Sequence, residues 1–386
     1  MAALLYPLGT LIQIMAPDFP ILCAGRLLYG AGIGIAMHAA PLYIAETSPS
    51  RVRGLLVSLK EVAIVAGILL GYVFSEIAGE DWRRILGTPM ILEGLLGLLV
   101  VSPWVPESPR WLAAQAAKFK KGGSMEKARE LDGMAEEAAG KLKSDEALRT
   151  VRMYYDMEAQ KRIEKEEEDD EKNESFLRIL RSDQAARRAL LIGFGLTALQ
   201  QISGQPSVLY YATTLFKQAG LGGSALVILG SWKLACTFVG ASLVDRFGRR
   251  PLLTTGTFLM AASLATLSVL FASSSDGSAS PTAALIATLI YVGGYQVGFG
   301  PVNWLLLSEI MPMSIRTTGV AICVIGNFGF NFGVTTAFEA ARESIGTGGL
   351  FGAFFLVTVG ALVFIRRLVP ETRGLSLEEI NDMLKE

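Results

Sequence analysis

The chain alternates between long apolar stretches and short polar connections, with one extended polar segment near its middle. A helix needs roughly 20 apolar residues to cross a hydrocarbon core about 30 Å thick. About ten stretches of that order predict membrane-spanning helices, at approximately residues 2–16, 20–45, 54–75, 86–105, 187–218, 223–244, 251–273, 282–309, 315–338 and 349–368. The pattern therefore predicts an all-α integral membrane protein.

The polar segment, residues 106–186, is too highly charged to enter a bilayer. Its acidic run from Glu164 to Glu174 is typical of a solvated region. We predict a cytosolic helical insert at this place. The sequence leaves open whether the insert is a plain linker or has a regulatory role.

Basic residues near span ends indicate which side of the membrane each connection faces, because Lys and Arg are enriched on the cytosolic side. Arginines cluster in alternate connections, and the insert belongs to that same side. Arg83, Arg84 and Arg342 are exceptions on the other side. We therefore expect both termini and the insert in the cytosol. The arginines that carry this prediction are Arg51, Arg53, Arg246, Arg249, Arg250, Arg316, Arg366 and Arg367.

Composition supports the membrane prediction and excludes several other classes of protein. Of the 386 residues, 51% are hydrophobic, and the formal net charge of -1 favours no nucleic-acid partner. Cys23, Cys236 and Cys323 lie in apolar runs without neighbouring cysteine or histidine, so we predict buried packing residues and no metal site. No cleavable signal peptide and no cofactor-binding motif is visible.

An internal repeat relates the two halves of the chain. The pattern Glu-x-x-Pro-x-x-x-Arg begins at Glu46 and again at Glu309, an offset of 309 - 46 = 263 residues. A Pro-Glu pair at Pro106 recurs at Pro370, an offset of 370 - 106 = 264 residues. Two helical bundles related by a parallel repeat, with a site near the bilayer midplane, are typical of one architecture of secondary transporters.

The repeat also predicts the domain organisation. The second half begins near residue 187 with six spans, whereas the first half has four, so its expected start lies roughly 76 residues upstream of Met1. We therefore number the spans as the third to twelfth of a twelve-helix parent. The predicted domains are an incomplete N-terminal bundle (1–105), the insert (106–186), a C-terminal six-helix bundle (187–368) and a cytosolic tail (369–386).

The seventh parental span carries the polar chemistry. Gln200, Gln201, Tyr210 and Tyr211 interrupt an apolar helix there, and residues 204–206 contain a glycine and a proline that should loosen it. Neutral amides and aromatic faces suit a ligand with many hydroxyl groups. Polar groups at membrane depth usually face a cavity, although amides can also join helices without binding a ligand.

Several motifs resemble the sugar porter family of the major facilitator superfamily over nearly the whole chain. The runs 36–41, 58–61 and 204–211 are most similar to the plant and algal D-xylose-proton symporter-like and vacuolar glucose transporter subgroup. The motifs that carry the resemblance are Gly25-Arg26, Pro41 to Glu46, Pro106 to Trp111, Gln200-Gln201, Asp245 to Arg250, Trp304 to Glu309 and Pro370-Glu371-Thr372.

The resemblance implies roles for individual residues. Gln200 and Gln201 match the glutamines that bind sugar hydroxyls, and Trp304 matches a tryptophan that lines the cavity. Tyr210 and Tyr211 match gating tyrosines beside the site. Asn327 falls at an amide position of the eleventh helix, and Asn331 lies one turn further along. Arg26 matches the arginine that, in proton-coupled members, faces a carboxylate of the first helix, which would lie upstream of Met1.

Two departures from the family pattern place charges where members carry neutral sugar contacts. Glu61 replaces a glutamine and Lys233 an asparagine, while Pro206 and Phe328 are further departures. Because isolated charges in a membrane are costly, we hypothesise that Glu61 and Lys233 pair. The alternative is that Glu61 binds a proton on its own. His38 could titrate near neutral pH, but a polar contact between helices is the simpler interpretation.

Charged residues at the cytosolic helix ends predict a gate. Ion pairs there can hold that side shut and must break when it opens. With the corresponding loop of the first half absent, we expect a bias away from the cytosol-closed state. The predicted network comprises Glu46, Arg53, Glu107, Asp245, Arg249, Arg250, Glu309, Arg316 and Glu371.

The sequence thus predicts a carrier that moves glucose, xylose or a similar monosaccharide by alternating access, with proton coupling left open. No phosphate-binding loop and no nucleophile-base arrangement is present, which argues against a pump and against an enzyme. A non-transporting sugar sensor and a non-functional truncated fragment remain as alternatives. The subgroup resemblance favours a vacuolar or plastid membrane over the plasma membrane.

Overall fold

The computed structural model describes residues 2–47, 50–79, 81–102, 105–121, 124–141, 176–218, 225–273, 280–312, 315–375 and 377–385. All regular elements within these ranges are helices. They are α1 (Ala2–Ile14), α2 (Phe19–Thr47), α3 (Ser50–Ala78), α4 (Trp82–Val101), α5 (Pro109–Lys121), α6 (Met125–Lys141), α7 (Phe176–Ser182), α8 (Gln184–Ile202), α9 (Gln205–Gln218), α10 (Ala225–Phe247), α11 (Arg249–Ser273), α12 (Pro281–Val297), α13 (Phe299–Ile310), α14 (Arg316–Leu368) and α15 (Leu377–Lys385).

Six of the described helical stretches are long and apolar enough to cross a membrane. They are Phe19–Met37, Leu59–Ala78, Leu226–Val244, Arg249–Ser273, Pro281–Ile310 and Thr318–Leu368, while Ala2–Ile14 is apolar but shorter. The all-α membrane prediction is confirmed. Within the described residues, the limits of several helices differ from those of the predicted spans.

The breaks fall at particular residues. The predicted span 187–218 divides into α8 and α9 at Ser203 and Gly204, where the expected loosening occurs. The predicted span 282–309 divides into α12 and α13 at Gly298. The last two predicted spans meet within α14, where two helices are joined across a kink at Gly346, which has φ 72°.

The chain forms two compact units. The first comprises Met1–Lys60 and Val73–Asn173, and the second comprises Glu61–Tyr72 and Glu174–Glu386. The middle of α3 therefore belongs by its contacts to the second unit, although its two ends belong to the first.

In the first unit, α1 packs against α2 and α4. The Asp81 carboxylate caps α4 by accepting hydrogen bonds from the backbone N–H groups of Arg83 and Arg84. The Arg83 guanidinium in turn donates to the carbonyl oxygens of Ile14 and Ala16, at 3.2 and 2.9 Å. Arg83 thereby satisfies carbonyl groups that the end of α1 leaves without helical partners.

Part of the predicted insert forms a helical hairpin. Helices α5 and α6 pack against each other through a small apolar cluster of Leu112, Leu131, Ala135 and Ala138. Both helices are otherwise polar, as expected for solvated elements. Residues 142–175, including the acidic run, lie outside the described residues.

The second unit contains the main core. Helix α11 packs against α12 and α14, and α14 also packs against α8. Tyr291, Phe299 and Phe351 are fully buried among these helices. Cys236 and Cys323 are buried as predicted, whereas Cys23 is exposed on α2, so the prediction for Cys23 was wrong.

Candidate functional site

Gln200, on α8, is the centre of a buried hydrogen-bond cluster in the second unit. Its side-chain Nε2 donates to the Tyr295 hydroxyl at 2.9 Å and to the Phe299 carbonyl oxygen at 3.4 Å. Its Oε1 accepts hydrogen bonds from the Nδ2 groups of Asn303 at 2.8 Å and Asn327 at 3.2 Å. The amide, only 2% exposed, therefore has both donor hydrogens and both lone pairs engaged.

The break between α8 and α9 fixes the position of this amide. Gly204 adopts φ +91°, which favours glycine, and a Cβ at this residue would lie 2.5 Å from the Phe354 ring. The Ser203 hydroxyl donates to the Gln200 carbonyl oxygen at 3.0 Å, and the Tyr291 hydroxyl donates to the Ser203 carbonyl oxygen at 3.1 Å. The backbone groups freed by the break are thus partly satisfied by side chains.

Gln201 forms a second amide pair beside the first. Its Oε1 accepts a hydrogen bond from Asn331 Nδ2 at 2.9 Å, and its side chain is 5% exposed. The spacing of four residues between Asn327 and Asn331 puts both on one face of α14. That face therefore meets both glutamines of α8.

Aromatic side chains lie in the same unit. Tyr211 makes edge contacts with Phe271 and Phe351, with ring centroids 5.5 and 5.6 Å apart. Trp304 is half-buried and packs against the main core. The side chain of Tyr210 lies outside the described residues.

Tyr295 and Asn303 are members of the cluster that sequence reasoning missed. Asn303 is fully buried and directly precedes Trp304. Asn303 is a single polar residue within an apolar run, which is a weak signal, whereas Tyr295 is followed by the amide Gln296. The signal that could have identified Asn303 was an amide next to Trp304, the tryptophan that the family resemblance assigns to the cavity.

The two unusual charges lie in the second unit. Lys233, on α10, is only 5% exposed, and the Glu61 carboxylate is near enough for electrostatic attraction. Glu61 also lies within electrostatic range of the Tyr295 hydroxyl, which binds Gln200. A Cβ at Gly230 would lie 2.9 Å from side-chain atoms of Leu69 and Tyr72, which brings α10 and the middle of α3 into contact.

The first unit contains a further, half-buried carboxylate that sequence reasoning missed. Glu93, on α4, accepts hydrogen bonds from the Thr10 hydroxyl at 2.9 Å and the Tyr29 hydroxyl at 3.0 Å. Arg26 is exposed on α2 and lies within electrostatic range of the Tyr29 hydroxyl, one helical turn further along. That Arg26 faces a carboxylate of the family's first helix stays a prediction.

Part of the predicted cytosolic network forms in the second unit. The Arg249 guanidinium makes two hydrogen bonds with the Glu309 carboxylate, at 2.8 and 3.3 Å. The Thr372 hydroxyl donates to the same carboxylate at 2.5 Å. The Glu371 carboxylate accepts hydrogen bonds from the backbone N–H groups of Arg249 and Arg250, both at 3.0 Å, and so caps α11.

Gly248 makes this cap possible. It has φ +94°, and a Cβ there would lie 2.7 Å from Glu371 Oε2. The Arg250 guanidinium also donates to the Arg366 carbonyl oxygen. The predicted network member Arg316 instead donates to the Met311 carbonyl oxygen at 3.1 Å.

The remaining predicted network residues belong to the first unit or are not described. Glu107 is exposed beside Tyr43, whose hydroxyl donates to the Pro106 carbonyl oxygen at 2.8 Å. Burial raises the pKa of Tyr43, and the Glu107 carboxylate raises it further. The side chains of Glu46, Arg53, Asp245 and His38 lie outside the described residues, and Phe328 is half exposed.

The chemistry available at the amide cluster is neutral hydrogen bonding. Each carboxamide or tyrosine hydroxyl can exchange a hydrogen bond to the protein for one to a hydroxyl group of a ligand. Among the described residues, no group of three His, Cys, Asp or Glu side chains could hold a metal ion.

Comparison with known families and sequences agrees with this chemistry. The family model described as "Sugar (and other) transporter" matches residues 1–384. The chain is 42% identical to the D-xylose-proton symporter-like 3, chloroplastic, of Arabidopsis thaliana, over 99% of this chain and 68% of that protein. It is 30% identical to the galactose-proton symporter of Escherichia coli (strain K12), over 98% of this chain and 77% of that protein.

Solved structures are similar as well. The proton:xylose symporter XylE bound to 6-bromo-6-deoxy-D-glucose matches with a TM-score of 0.74 and 28% identity, covering 100% of this chain and 82% of that one. An inward-open structure of XylE from E. coli matches with a TM-score of 0.72 and 27% identity, covering 100% of this chain and 81% of that one.

Proposed function

Because the chain belongs to the sugar transporter family of the major facilitator superfamily, we propose that it moves a monosaccharide across a membrane by alternating access, coupled to protons. It is a multi-pass secondary carrier and not an enzyme. The proposal concerns the sugar, the residues that bind it and the coupling.

The observation that carries the proposal is the pairing of two adjacent glutamines with two asparagines inside the second unit. Gln200 binds Asn327, and Gln201 binds Asn331. All four side chains are uncharged and can both donate and accept hydrogen bonds, as a sugar hydroxyl does. Tyr211 and Trp304 add aromatic surface that suits the C–H face of a sugar ring.

The names of the relatives support glucose, xylose or a similar hexose or pentose as substrate. Three Arabidopsis relatives are called D-xylose-proton symporter-like, and one solved neighbour is bound to a bromodeoxyglucose. The same names support proton coupling. One of these names also includes the word "chloroplastic", which supports a plastid membrane over the plasma membrane.

The Arg249 network provides the gate in this proposal. Arg249, Glu309 and Glu371 join the start of α11, the end of α13 and the segment after α14. Ion pairs at helix ends stabilise one state of a carrier and must break in the other. Glu46, Arg53, Glu107, Asp245 and Arg316 are proposed as further members of this gate, on the repeated spacing of the two halves.

Glu61 and Lys233 provide a charge pair beside the sugar site. Attraction between them lowers the cost of holding either charge away from water. Through Tyr295, the field of Glu61 reaches the hydrogen bonds of Gln200. Arg26 is proposed as a separate coupling residue, in the first unit.

Uptake into proteoliposomes tests the function. We expect labelled glucose or xylose to enter vesicles that contain the chain, and an inward proton gradient to increase the uptake. Gln201→Ala should reduce uptake about five-fold to a hundred-fold, because a lost buried hydrogen bond costs about 1–3 kcal/mol. Gln184→Ala, which alters an exposed glutamine at the start of the same helix, is the matched control and should retain uptake.

Two results would contradict the proposal. Absence of uptake of every monosaccharide by correctly folded chain would exclude transport of this class. Full uptake by Gln201→Ala would exclude the glutamine pair as the binding site. An unchanged rate with and without the gradient would remove only the proton coupling.

A further inference from the structure

The Oδ1 atom of Asn303 is an unusual feature of the amide cluster. It is fully buried and has no hydrogen-bond partner in the structure, although the Nδ2 of the same side chain donates to Gln200. Buried polar atoms are rarely left unpaired in folded proteins, because removal from water without a new partner is unfavourable. The atom therefore requires an explanation.

The chemical character of this atom follows from its neighbours. The Phe299 carbonyl oxygen can only accept, so Gln200 must present its Nε2 to it. The Oε1 of Gln200 then faces Asn303 and Asn327, and both asparagines must present their Nδ2 groups. The orientation of Asn303 is thereby determined, and the atom left over is a carbonyl oxygen, which can only accept.

We infer that Asn303 is a specificity-determining residue whose Oδ1 accepts a hydrogen bond from one hydroxyl group of the transported sugar. This inference rests on the proposed function. A hydroxyl group satisfies the oxygen because it brings a hydrogen, whereas an acceptor at the same place would leave the oxygen unpaired and facing a second acceptor. Asn303 therefore selects sugars that carry a hydrogen-bond donor at one ring position.

The position of Asn303 supports this role over a purely structural one. Its side chain binds Gln200, and the next residue in the chain is Trp304. Both Gln200 and Trp304 are assigned to sugar binding. An asparagine that only anchored Gln200 would need its Nδ2 alone. Burial of its Oδ1 without a partner would then destabilise the protein and contribute nothing. Asn327 differs, since its Oδ1 is not among the buried unpaired atoms.

Fluorinated sugars test the inference directly. Fluorine is close in size to a hydroxyl group but has no hydrogen to donate. We would measure competitive binding of D-glucose and its 2-, 3-, 4- and 6-fluoro-deoxy analogues to the purified chain. The dissociation constant of each analogue is expressed as a ratio to that of glucose. For the unaltered chain, we expect one position at which fluorine weakens binding about ten-fold to a hundred-fold because of the unpaired oxygen.

Asn303→Leu removes the acceptor. At the sensitive position, we expect the ratio to fall to about one, while the ratios at the other positions stay as they were. Asn303→Ala is the second variant, because leucine could distort the packed site. Elution as a single monodisperse peak from a sizing column, with glucose binding retained, identifies folded protein in both cases.

Asn327→Leu is the matched control. It also removes a hydrogen bond to Gln200 but leaves Asn303 Oδ1 intact. We therefore expect weaker binding of all sugars, while the ratio at the position that is sensitive to Asn303 stays unchanged. A merely structural role of Asn303 would give this same uniform pattern in Asn303→Leu and Asn303→Ala.

The outcomes separate the two proposals. Unchanged ratios in both Asn303 variants would overturn the assignment of Asn303 and leave the transport function standing. Absence of binding of any monosaccharide by the unaltered chain would overturn the proposed function and this assignment together. Collapse of the ratio at one position alone would support the assignment and also identify the hydroxyl group that Asn303 contacts.

Discussion

The guanidinium group of Arg249 lies 2.8 Å from the carboxylate of Glu309, and both side chains are largely buried. The Thr372 hydroxyl binds the same carboxylate. Two helix ends and the segment that follows α14 are therefore connected through one carboxylate group.

Replacement of Glu309 by glutamine should disturb both stability and transport. Loss of a charge-assisted hydrogen bond costs about 1.5–3 kcal/mol, and Arg249 would remain without its counter-charge. We expect a lower thermal unfolding midpoint in detergent and slower sugar uptake. Lys385→Gln is the control, since it removes an exposed ion pair with Asp382 and should change the midpoint little. Equal effects of the two substitutions would contradict the prediction.

Glu371 should act as a helix cap rather than as an ion-pair partner. Its carboxylate binds the backbone N–H groups of Arg249 and Arg250 at the start of α11. Glu371→Ala should cost about 1–2 kcal/mol, and Glu371→Gln, which keeps one acceptor oxygen, should cost less. Thermal unfolding of the two variants measures the difference. If glutamine is as harmful as alanine, the charge and not the cap is decisive.

Charge reversal tests the pairing of Glu61 with Lys233. Glu61→Lys puts two positive charges close together in a buried place, so we expect uptake to fall at least about ten-fold. Addition of Lys233→Glu restores opposite charges and should recover a large part of the uptake. Glu76→Lys, at an exposed position of the same helix, is the control and should be tolerated. Failure of the double variant would refute the pair and favour Glu61 as an independent proton site.

Glu93 should stabilise the first unit by joining three helices. Thr10→Val and Tyr29→Phe each remove one hydrogen bond to its carboxylate, and each should cost about 0.6–1 kcal/mol. Glu93→Leu removes both at once, so Thr10→Val should have little additional effect in that background. Thermal unfolding of the single and combined variants measures this coupling. Simple additivity would show that the hydroxyl groups are stabilised by other partners.

Sequence reasoning was most reliable where several unusual residues occur together. Adjacent amides at Gln200 and Gln201, followed by Gly204 and Pro206, predicted both a polar cluster and a helix break. The helix does end at Ile202, and its amides meet Asn327 and Asn331. Clustered polar groups in an apolar helix leave few alternatives, because lipid cannot satisfy them.

Isolated residues could not be assigned in the same way. Glu93 and Asn303 each stand alone in an apolar run, and Tyr295 has one polar neighbour, Gln296. The importance of all three depends on partners up to 103 residues away in the chain. The placement of Glu61–Tyr72 with the second unit depends on contacts that sequence order does not reveal.

The complete engagement of Gln200 by protein partners has a consequence for the energetics of a transport cycle. A sugar hydroxyl that binds this amide must displace Tyr295, Phe299, Asn303 or Asn327, so one hydrogen bond is exchanged for another of similar strength. Such an exchange yields little net free energy, so the sugar is bound with low affinity. Low affinity would be a disadvantage for a receptor but is an advantage for a carrier. A weakly bound sugar dissociates quickly on the other side of the membrane, and the amide then returns to its former partners.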